Sequence, residues 1–332
     1  MNAHAKHLLA AHGPLLLVWG ALFLLFGSLS ENFLSRDTLG TLAGQVPPLA
    51  IIACGMTFVL LVAGIDLSVG SVMALCGAVL GYTLADRGLA LPLAMLLAVA
   101  VGAAVGLFNG CLSVFLRIPS FIVTLGTLEV ARGLSYLATG SETKYLGSRL
   151  DALIEPLPFL GVPPSFLVAL AVVAAGHFVL VRSVYGRHLV AIGTNENAVR
   201  LAGIPVAWRK VGVFLLAGTL AGLASVFSTA RLGSADPNAG VGFELSAIAA
   251  VVIGGTSLMG GRASVVNSFL GVLVIATLAA GLSQTGASEP TKRVVTGLVI
   301  VLAVTVDALR SGALERLRRR LQSRRIPKTT PE

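Results

Sequence analysis

The chain has 332 residues, of which 55% are hydrophobic and only 12% are charged, and its formal net charge is +9. A mean hydropathy of +0.89 excludes an ordinary soluble domain, whose surface requires a larger charged fraction. The basic residues are not interleaved with aromatic residues over one surface, so a nucleic-acid partner is not expected.

Apolar runs separated by short polar breaks predict an all-α fold, a polytopic bundle of about ten transmembrane helices in a single domain over residues 1–332. The first run resembles a signal peptide, but the many spans after it favour an uncleaved helix. The spans are expected near residues 14–30, 46–64, 68–85, 90–116, 119–139, 164–182, 210–230, 243–258, 264–283 and 293–309.

The basic residues also predict the orientation in a bacterial inner membrane. With the N-terminus in the cytoplasm, the inside breaks carry more Lys and Arg than the outside breaks, and both termini are cytoplasmic. The basic tail, 310–332, would then contact anionic membrane lipid on the cytoplasmic side. Residues 140–163 would form a periplasmic loop and residues 183–209 a cytoplasmic loop.

Two sequence patterns concern how the helices are arranged. Residues 64–70 resemble residues 255–261, and the same offset superposes spans one to four on spans seven to ten, as a parallel repeat would. Two glycine turns could also match by chance. Separately, glycines recur every four residues on one face of two spans and predict close helix-to-helix contacts. These glycines are Gly102, Gly106, Gly110, Gly218 and Gly222.

Polar side chains within the spans are candidates for a solute pathway, because such residues are costly in lipid. Glu129 and Arg132 are three residues apart on one helix and can pair, either to line a pathway or to hold helices in register. Neutral hydroxyl and amide groups could bind a hydroxylated solute or bond to their own backbone. The candidate pathway residues are Asn109, Ser113, Thr124, Thr127, Glu129 and Arg132.

A tight break between the second and third spans contains Gly64, Asp66 and Gly70. The Asp66 carboxylate could accept the free backbone N–H groups at the start of the next helix. We therefore predict that these residues form a structural turn.

No catalytic pattern is found in the sequence, which has no HExxH zinc pair, no GxSxG elbow and no GxxxxGK[ST] phosphate loop. Three cysteines in apolar segments are expected to be small apolar fillers, and three histidines near the N-terminus have no metal-ligand partners. These residues are Cys54, Cys76, Cys111, His4, His7 and His12. We predict no metal or cofactor on this chain, so ATP and Mg²⁺, if used, would be bound by another chain.

The cytoplasmic loop 183–209 contains a predicted short helix from Asn195 to Leu201. Thr194 or Asn195 would cap its start, and Gly203 with Pro205 would end it. A helix in this position would lie on the membrane or insert into a partner protein.

Taken together, several segments of the sequence resemble the permease subunits of monosaccharide ABC importers of the ribose, xylose and arabinose type. The matching segments are 64–71, 119–127, 186–195, 202–204 and 254–261, in the order that the family has them. The resemblance implies a pore of two permease copies, as a homodimer or a paralogous heterodimer. It also implies a separate ABC ATPase that binds ATP and Mg²⁺, and a periplasmic binding protein that delivers a sugar or polyol.

The resemblance further implies that the loop 183–209 contacts the ATPase and couples it to the bundle. The residues assigned to coupling in this way are Gly186, Arg187, Ile192, Gly193, Asn195, Ala198, Leu201 and Gly203. His188 departs from the family, which usually has Asn or Thr at that position.

Other functions are compatible with the same sequence. Relatives of this family transport nucleosides or branched-chain amino acids, and the motifs do not separate these solutes. A secondary transporter or channel is compatible with about ten spans, although few carboxylates lie in the membrane to carry protons. A membrane enzyme would need a catalytic cluster, which the sequence does not offer.

Overall fold

The computed structural model describes the backbone of residues 3–288, 290–299, 301–302 and 305, and side chains from residue 12 onward within these ranges. The described part is mostly helical, as predicted, with two strands of two residues each. The α-helices whose two ends both lie among the described residues are α1 (Ala3–Leu29), α2 (Arg36–Leu61), α3 (Val69–Ala85), α4 (Leu91–Phe115), α5 (Ser120–Thr139), α6 (Pro164–Arg182), α7 (Val184–Thr194), α8 (Glu196–Leu201), α9 (Val206–Leu232), α10 (Phe243–Ile253) and α11 (Val265–Gln284).

Seven helices within the described ranges are long and apolar enough to cross a membrane, namely α1, α2, α4, α5, α6, α9 and α11. Two further predicted spans correspond to shorter helices, α3 with 17 residues and α10 with 11. The last predicted span, 293–309, lies partly outside the described residues, and the tail 310–332 lies entirely outside them. The side chains of His4 and His7 are also outside, whereas His12 is hydrogen-bonded to Asn267.

Three predicted spans differ from the helices that form. The helix α1 begins at Ala3, eleven residues before the predicted start of its span. The helix α2 begins ten residues before the predicted start of its span, at Arg36, because the Ser35 hydroxyl accepts a hydrogen bond from the Thr38 N–H at 3.2 Å and caps a polar first turn. Conversely, α10 ends at Ile253 instead of continuing to residue 258. Gly255 there adopts φ +80°, which ends the helix in a turn.

The helix α2 forms the centre of the bundle. In its most apolar window, 89% of the residues are buried, compared with 6% for α1 at the periphery. The second central helix is α9, and it packs along both α2 and α4. Because α2 is apolar on all sides, it is stable only where other helices surround it completely.

Helices α4 and α9 meet at the predicted glycine contacts, so this prediction is confirmed. A Cβ atom added to Gly106 would lie 2.3 Å from the carbonyl oxygen of Phe214. One added to Gly218 would lie 2.2 Å from the carbonyl oxygen of Gly102. The two backbones are thus in direct contact, which only glycine allows, and this gains van der Waals contact where lipid offers no hydrophobic drive.

The loop 140–163 is tied to the far end of α9. Strand β1 (Lys144–Tyr145) pairs antiparallel with strand β2 (Ser234–Ala235) directly after α9, and a 3-10 helix follows at Gly147–Leu153. This pairing is at the opposite end of α9 from α8, and a helix of 27 residues is about 40 Å long. The two long loops therefore lie at opposite ends of the bundle.

The proposed internal repeat would relate the break at 62–68 to the break at 254–264. The helices before these breaks differ in length, because α2 has 26 residues and α10 has 11. The repeat stays a prediction.

Candidate functional site

The loop after α6 folds into two helices, α7 and α8, at one end of the bundle. The Ser183 hydroxyl accepts a hydrogen bond from the Gly186 N–H at 3.0 Å and starts α7. The Asn195 side chain accepts from the Ala198 N–H at 3.0 Å and starts α8, and Gly203 with φ +79° follows its end. The predicted short helix is confirmed. Helix α7 was not predicted, because its glycines interrupt the helical pattern.

The structure divides the eight residues assigned to coupling into an outer and an inner group. Leu201 is 90% exposed at the end of α8. The inner group lies on the inward-facing side of α7 and consists of Gly186, Ile192 and the half-buried Gly193. The outer group consists of Arg187, Asn195, Ala198, Leu201 and Gly203.

Gly193 is the point where α7 touches two other parts of the bundle. A Cβ atom on Gly193 would lie 1.9 Å from the carbonyl oxygen of Leu61, at the end of α2, and 2.4 Å from the N atom of Gly261. Gly261 itself donates its N–H to the Leu61 carbonyl at 2.9 Å. Segments 186–195 and 254–261, far apart in the chain, therefore meet through their backbones at the end of α2.

A chain of buried hydrogen bonds lies behind this junction. The Asp66 Oδ1 atom accepts from the Ser68 N–H at 2.9 Å and from the Ser68 hydroxyl at 2.6 Å. Asn109 donates from Nδ2 to the Ser68 hydroxyl oxygen at 3.0 Å, and the Thr127 hydroxyl donates to Asn109 Oδ1 at 2.6 Å. All four side chains are at most 7% exposed. Asn109 and Thr127 are thus hydrogen-bonded to each other, and their placement along a solute pathway stays a prediction.

The non-helical backbone at 62–68 is held by the first turns of α5. The Ser120 hydroxyl accepts from the Ile65 N–H at 2.9 Å, and the Thr124 hydroxyl accepts from the Leu67 N–H at 3.0 Å. Buried backbone groups must find such partners inside a membrane bundle. Thr124, which is fully buried, therefore stabilises this break, and its role in a pathway stays a prediction.

The three predicted turn residues also lie in or beside this break. Asp66 does not cap the first N–H groups of α3, because it bonds to Ser68, which itself occupies the capping position. A side chain at Gly64 would be crowded, since a Cβ atom there would lie 3.2 Å from the Val59 carbonyl oxygen. At Gly70, a Cβ atom would lie 2.3 Å from the carbonyl oxygen of Gly240, in the loop after β2.

Replacing Thr127 with valine tests the buried hydrogen bonds. The change leaves Asn109 Oδ1 without its donor, and we expect a loss of about 1–3 kcal/mol in the free energy of unfolding. Thr219→Val on α9 is the matched control, because the exposed Thr219 hydroxyl bonds only to its own helix, at Leu215. Denaturation of the purified protein in detergent measures both. Equal losses in the two variants would contradict the prediction.

The predicted pair of Glu129 and Arg132 does not form. Arg132 donates to the carbonyl oxygens of Pro237 at 2.6 Å and Ala239 at 3.0 Å, in the loop between β2 and α10. Glu129 is exposed on the outer face of α5, and no ion pair joins it to Arg132 in the described structure. The Arg132 guanidinium therefore donates to these two loop carbonyl oxygens and forms no ion pair with Glu129.

A charged crevice of about 680 Å³ opens beside α8. The Glu196 Oε1 atom accepts from Arg200 at 2.6 Å, and Oε2 accepts from Lys210 at 3.1 Å. Desolvation raises the pKa of Glu196, but the charges and hydrogen bonds of Lys210 and Arg200 outweigh it, so this pKa lies below the ordinary value. Ser113, a candidate pathway residue, lines this crevice and donates to the Ile118 carbonyl at 3.2 Å.

Sequence reasoning missed the crevice residues Arg117, Glu196 and Lys210 as a group. Their only signal was a position in the breaks assigned to the cytoplasmic side. Nothing in the sequence indicated that the break after α4 and the start of α9 lie side by side.

The comparisons with known proteins identify the family. A family model described as "Branched-chain amino acid transport system / permease component" matches residues 38–304, most of the chain. The chain belongs to this permease family. The permease is 40% identical to the ribose import permease protein of Escherichia coli (strain K12) over 86% of its own length and 90% of that relative.

Two other relatives extend the comparison. The permease is 38% identical to the D-allose transport system permease protein of Escherichia coli (strain K12), over 86% of its own length and 88% of the relative. It is 37% identical to the autoinducer 2 import system permease protein of Enterobacter sp. (strain 638), over 92% and 89% of the two chains. No solved structure matches the chain. The resemblance to monosaccharide importer permeases is confirmed, and the permease is a multi-pass inner-membrane protein.

Proposed function

We propose that this permease forms half of the membrane pore of an ABC importer that brings a monosaccharide or a related polyol into the cytoplasm. The observation that carries the proposal is the 40% identity to a ribose import permease over 90% of that relative. Branched-chain amino acids are the second candidate class, because the family model is described by them.

The proposal includes an orientation and partners. Both termini and the end of the bundle with α7 and α8 face the cytoplasm, in a chain of about ten spans. An ABC ATPase that binds ATP and Mg²⁺ docks on the outer group of α7 and α8 residues. A periplasmic binding protein delivers the solute at the end that carries the loop 140–163.

A second permease copy, identical or paralogous, covers the outer face of α5. Glu129 is exposed there among Ile122, Leu125 and Val130, all at least half exposed. A carboxylate facing lipid would be costly, and no described side chain pairs with it, so we infer that this face adjoins a polar pore at the contact between copies.

The experiment is reconstitution of the native complex. The tagged permease is purified with its ATPase and binding protein, and uptake into proteoliposomes is measured for ribose, allose, a polyol, a nucleoside and leucine. We expect uptake of a sugar or polyol that requires ATP and all three proteins. Uptake of leucine alone would favour the second candidate class, and uptake by the permease alone under an ion gradient would refute the ABC importer.

A further inference from the structure

The crevice beside α8 is built from three separate parts of the chain. The break after α4 contributes Arg117, α8 contributes Glu196 and Arg200, and the start of α9 contributes Lys210. Its remaining walls are largely apolar and include Val114, Phe115, Ile118, Ile204 and Phe214. The crevice therefore combines a charged rim with an apolar interior.

The charged rim has an excess of positive charge. Three cations, Arg117, Arg200 and Lys210, face one carboxylate, Glu196, which leaves a net charge of +2 (3 − 1). Glu196 is already bonded to Arg200 and Lys210. Arg117 has no ion pair within the described structure, and its backbone φ of +56° is rare for a residue other than glycine. Such a conformation persists where the surrounding structure fixes it, often at a binding site.

Aromatic residues place the opening of the crevice at the membrane surface. The Phe115 ring lines the crevice and contacts the Trp208 ring edge-on, with 5.3 Å between the ring centroids. Trp208 is 64% exposed and the neighbouring Leu116 is 62% exposed. Tryptophan at the rim of a membrane bundle marks the level of the lipid headgroups. The cations thus meet the headgroup layer, with exposed apolar side chains next to them.

We propose that this crevice binds the phosphate of an anionic phospholipid, with Arg117 and Lys210 around the phosphate and the acyl chains along Phe115 and Trp208. Basic pockets between helices at a membrane surface bind such headgroups. A neutral phospholipid lacks the net charge, and free phosphate lacks the apolar part. The bound lipid connects the break after α4 with α8 and α9. The functional meaning of α8 rests on the proposed function, whereas lipid binding does not.

The experiment measures lipid retention by the purified full chain alone. The protein is exchanged into detergent with phosphatidylglycerol or phosphatidylcholine, and retained lipid is counted by native mass spectrometry. We expect at least tenfold preference for phosphatidylglycerol in the wild-type chain and loss of this preference in Arg117→Gln. Arg182→Gln is the matched control, because Arg182 is exposed at the end of α6 and does not line the crevice. It is expected to retain the preference.

Several outcomes would overturn the proposal. One is equal retention of the two lipids by the wild-type chain, and another is an equal loss in Arg117→Gln and Arg182→Gln, which would indicate general surface charge. Thermal stabilisation by inorganic phosphate equal to that by phosphatidylglycerol would assign the crevice to a free anion. Loss of ATPase binding in Arg117→Gln with unchanged lipid retention would assign it to an acidic protein segment. Because retention is measured without transport, failure of the proposed function leaves this result unaffected.

Discussion

Replacing Gly218 with alanine is expected to lower the free energy of unfolding by about 3 kcal/mol or more, one of the largest effects of any single methyl group in this bundle. The added Cβ would lie 2.2 Å from the carbonyl oxygen of Gly102 and 2.7 Å from the Cα atom of Gly106. Both neighbours are backbone atoms, so no side-chain rotation relieves the overlap. Helices α4 and α9 would have to separate along their contact.

Gly44→Ala is the matched control for this prediction. Gly44 is also helical, in α2, but a Cβ atom there would meet nothing within 4 Å. Alanine should therefore be neutral or stabilising by up to about 1 kcal/mol, since glycine weakens a helix by that amount. Thermal unfolding and the yield of monodisperse protein in detergent compare the two. A Gly218→Ala protein as stable as Gly44→Ala would show that the contact is looser than described.

Replacing Leu201 with aspartate is expected to reduce ATP-driven uptake by at least tenfold without reducing the stability of the permease. Leu201 is 90% exposed at the end of α8, so the change removes no packing within the chain. If the ATPase covers this surface, the charge would be buried without a partner in the complex, which is strongly unfavourable. Uptake and ATPase activity in proteoliposomes, with thermal stability in detergent, measure the two effects separately.

Two further variants at α8 test whether a charge at its exposed surface causes the loss of uptake. Leu201→Met keeps the apolar contact and should retain uptake, whereas Ala198→Arg, also at an exposed position of α8, should lose it. Gly193 is unsuitable for this purpose, because any side chain there collides with Leu61 and Gly261. Normal uptake by Leu201→Asp in a stable protein would exclude α8 as the ATPase contact.

The sequence predicts those features that depend on local pattern. Apolar runs predict most of the membrane helices, the four-residue spacing of glycines predicts the contact between α4 and α9, and Asn195 predicts the start of α8. Each follows from helix periodicity or from the preference of one side chain for a cap. At α7 glycine does not mark a helix end, because Gly186 and Gly193 allow close packing within the helix.

The remaining features depend on which parts of the chain become neighbours. The sequence shows only that Asn109 and Thr127 are polar residues on membrane helices, whether they line a pathway or bond within the bundle. The packing of α4 against α5 shows that they bond to each other. Arg132 is three residues from Glu129, yet the carbonyl groups of Pro237 and Ala239, more than 100 residues later, bind it instead. The spacing along a helix predicts the helix face on which a side chain lies, but it does not predict the residue that this side chain contacts.

The junction at Gly193 has a mechanical consequence. Leu61, Gly193 and Gly261 touch through backbone atoms, so no flexible side chain lies between them to absorb a displacement. A force applied to α7 from outside must therefore move the end of α2 itself. Because α2 is enclosed by other helices over most of its length, it cannot shift without displacing the helices packed around it.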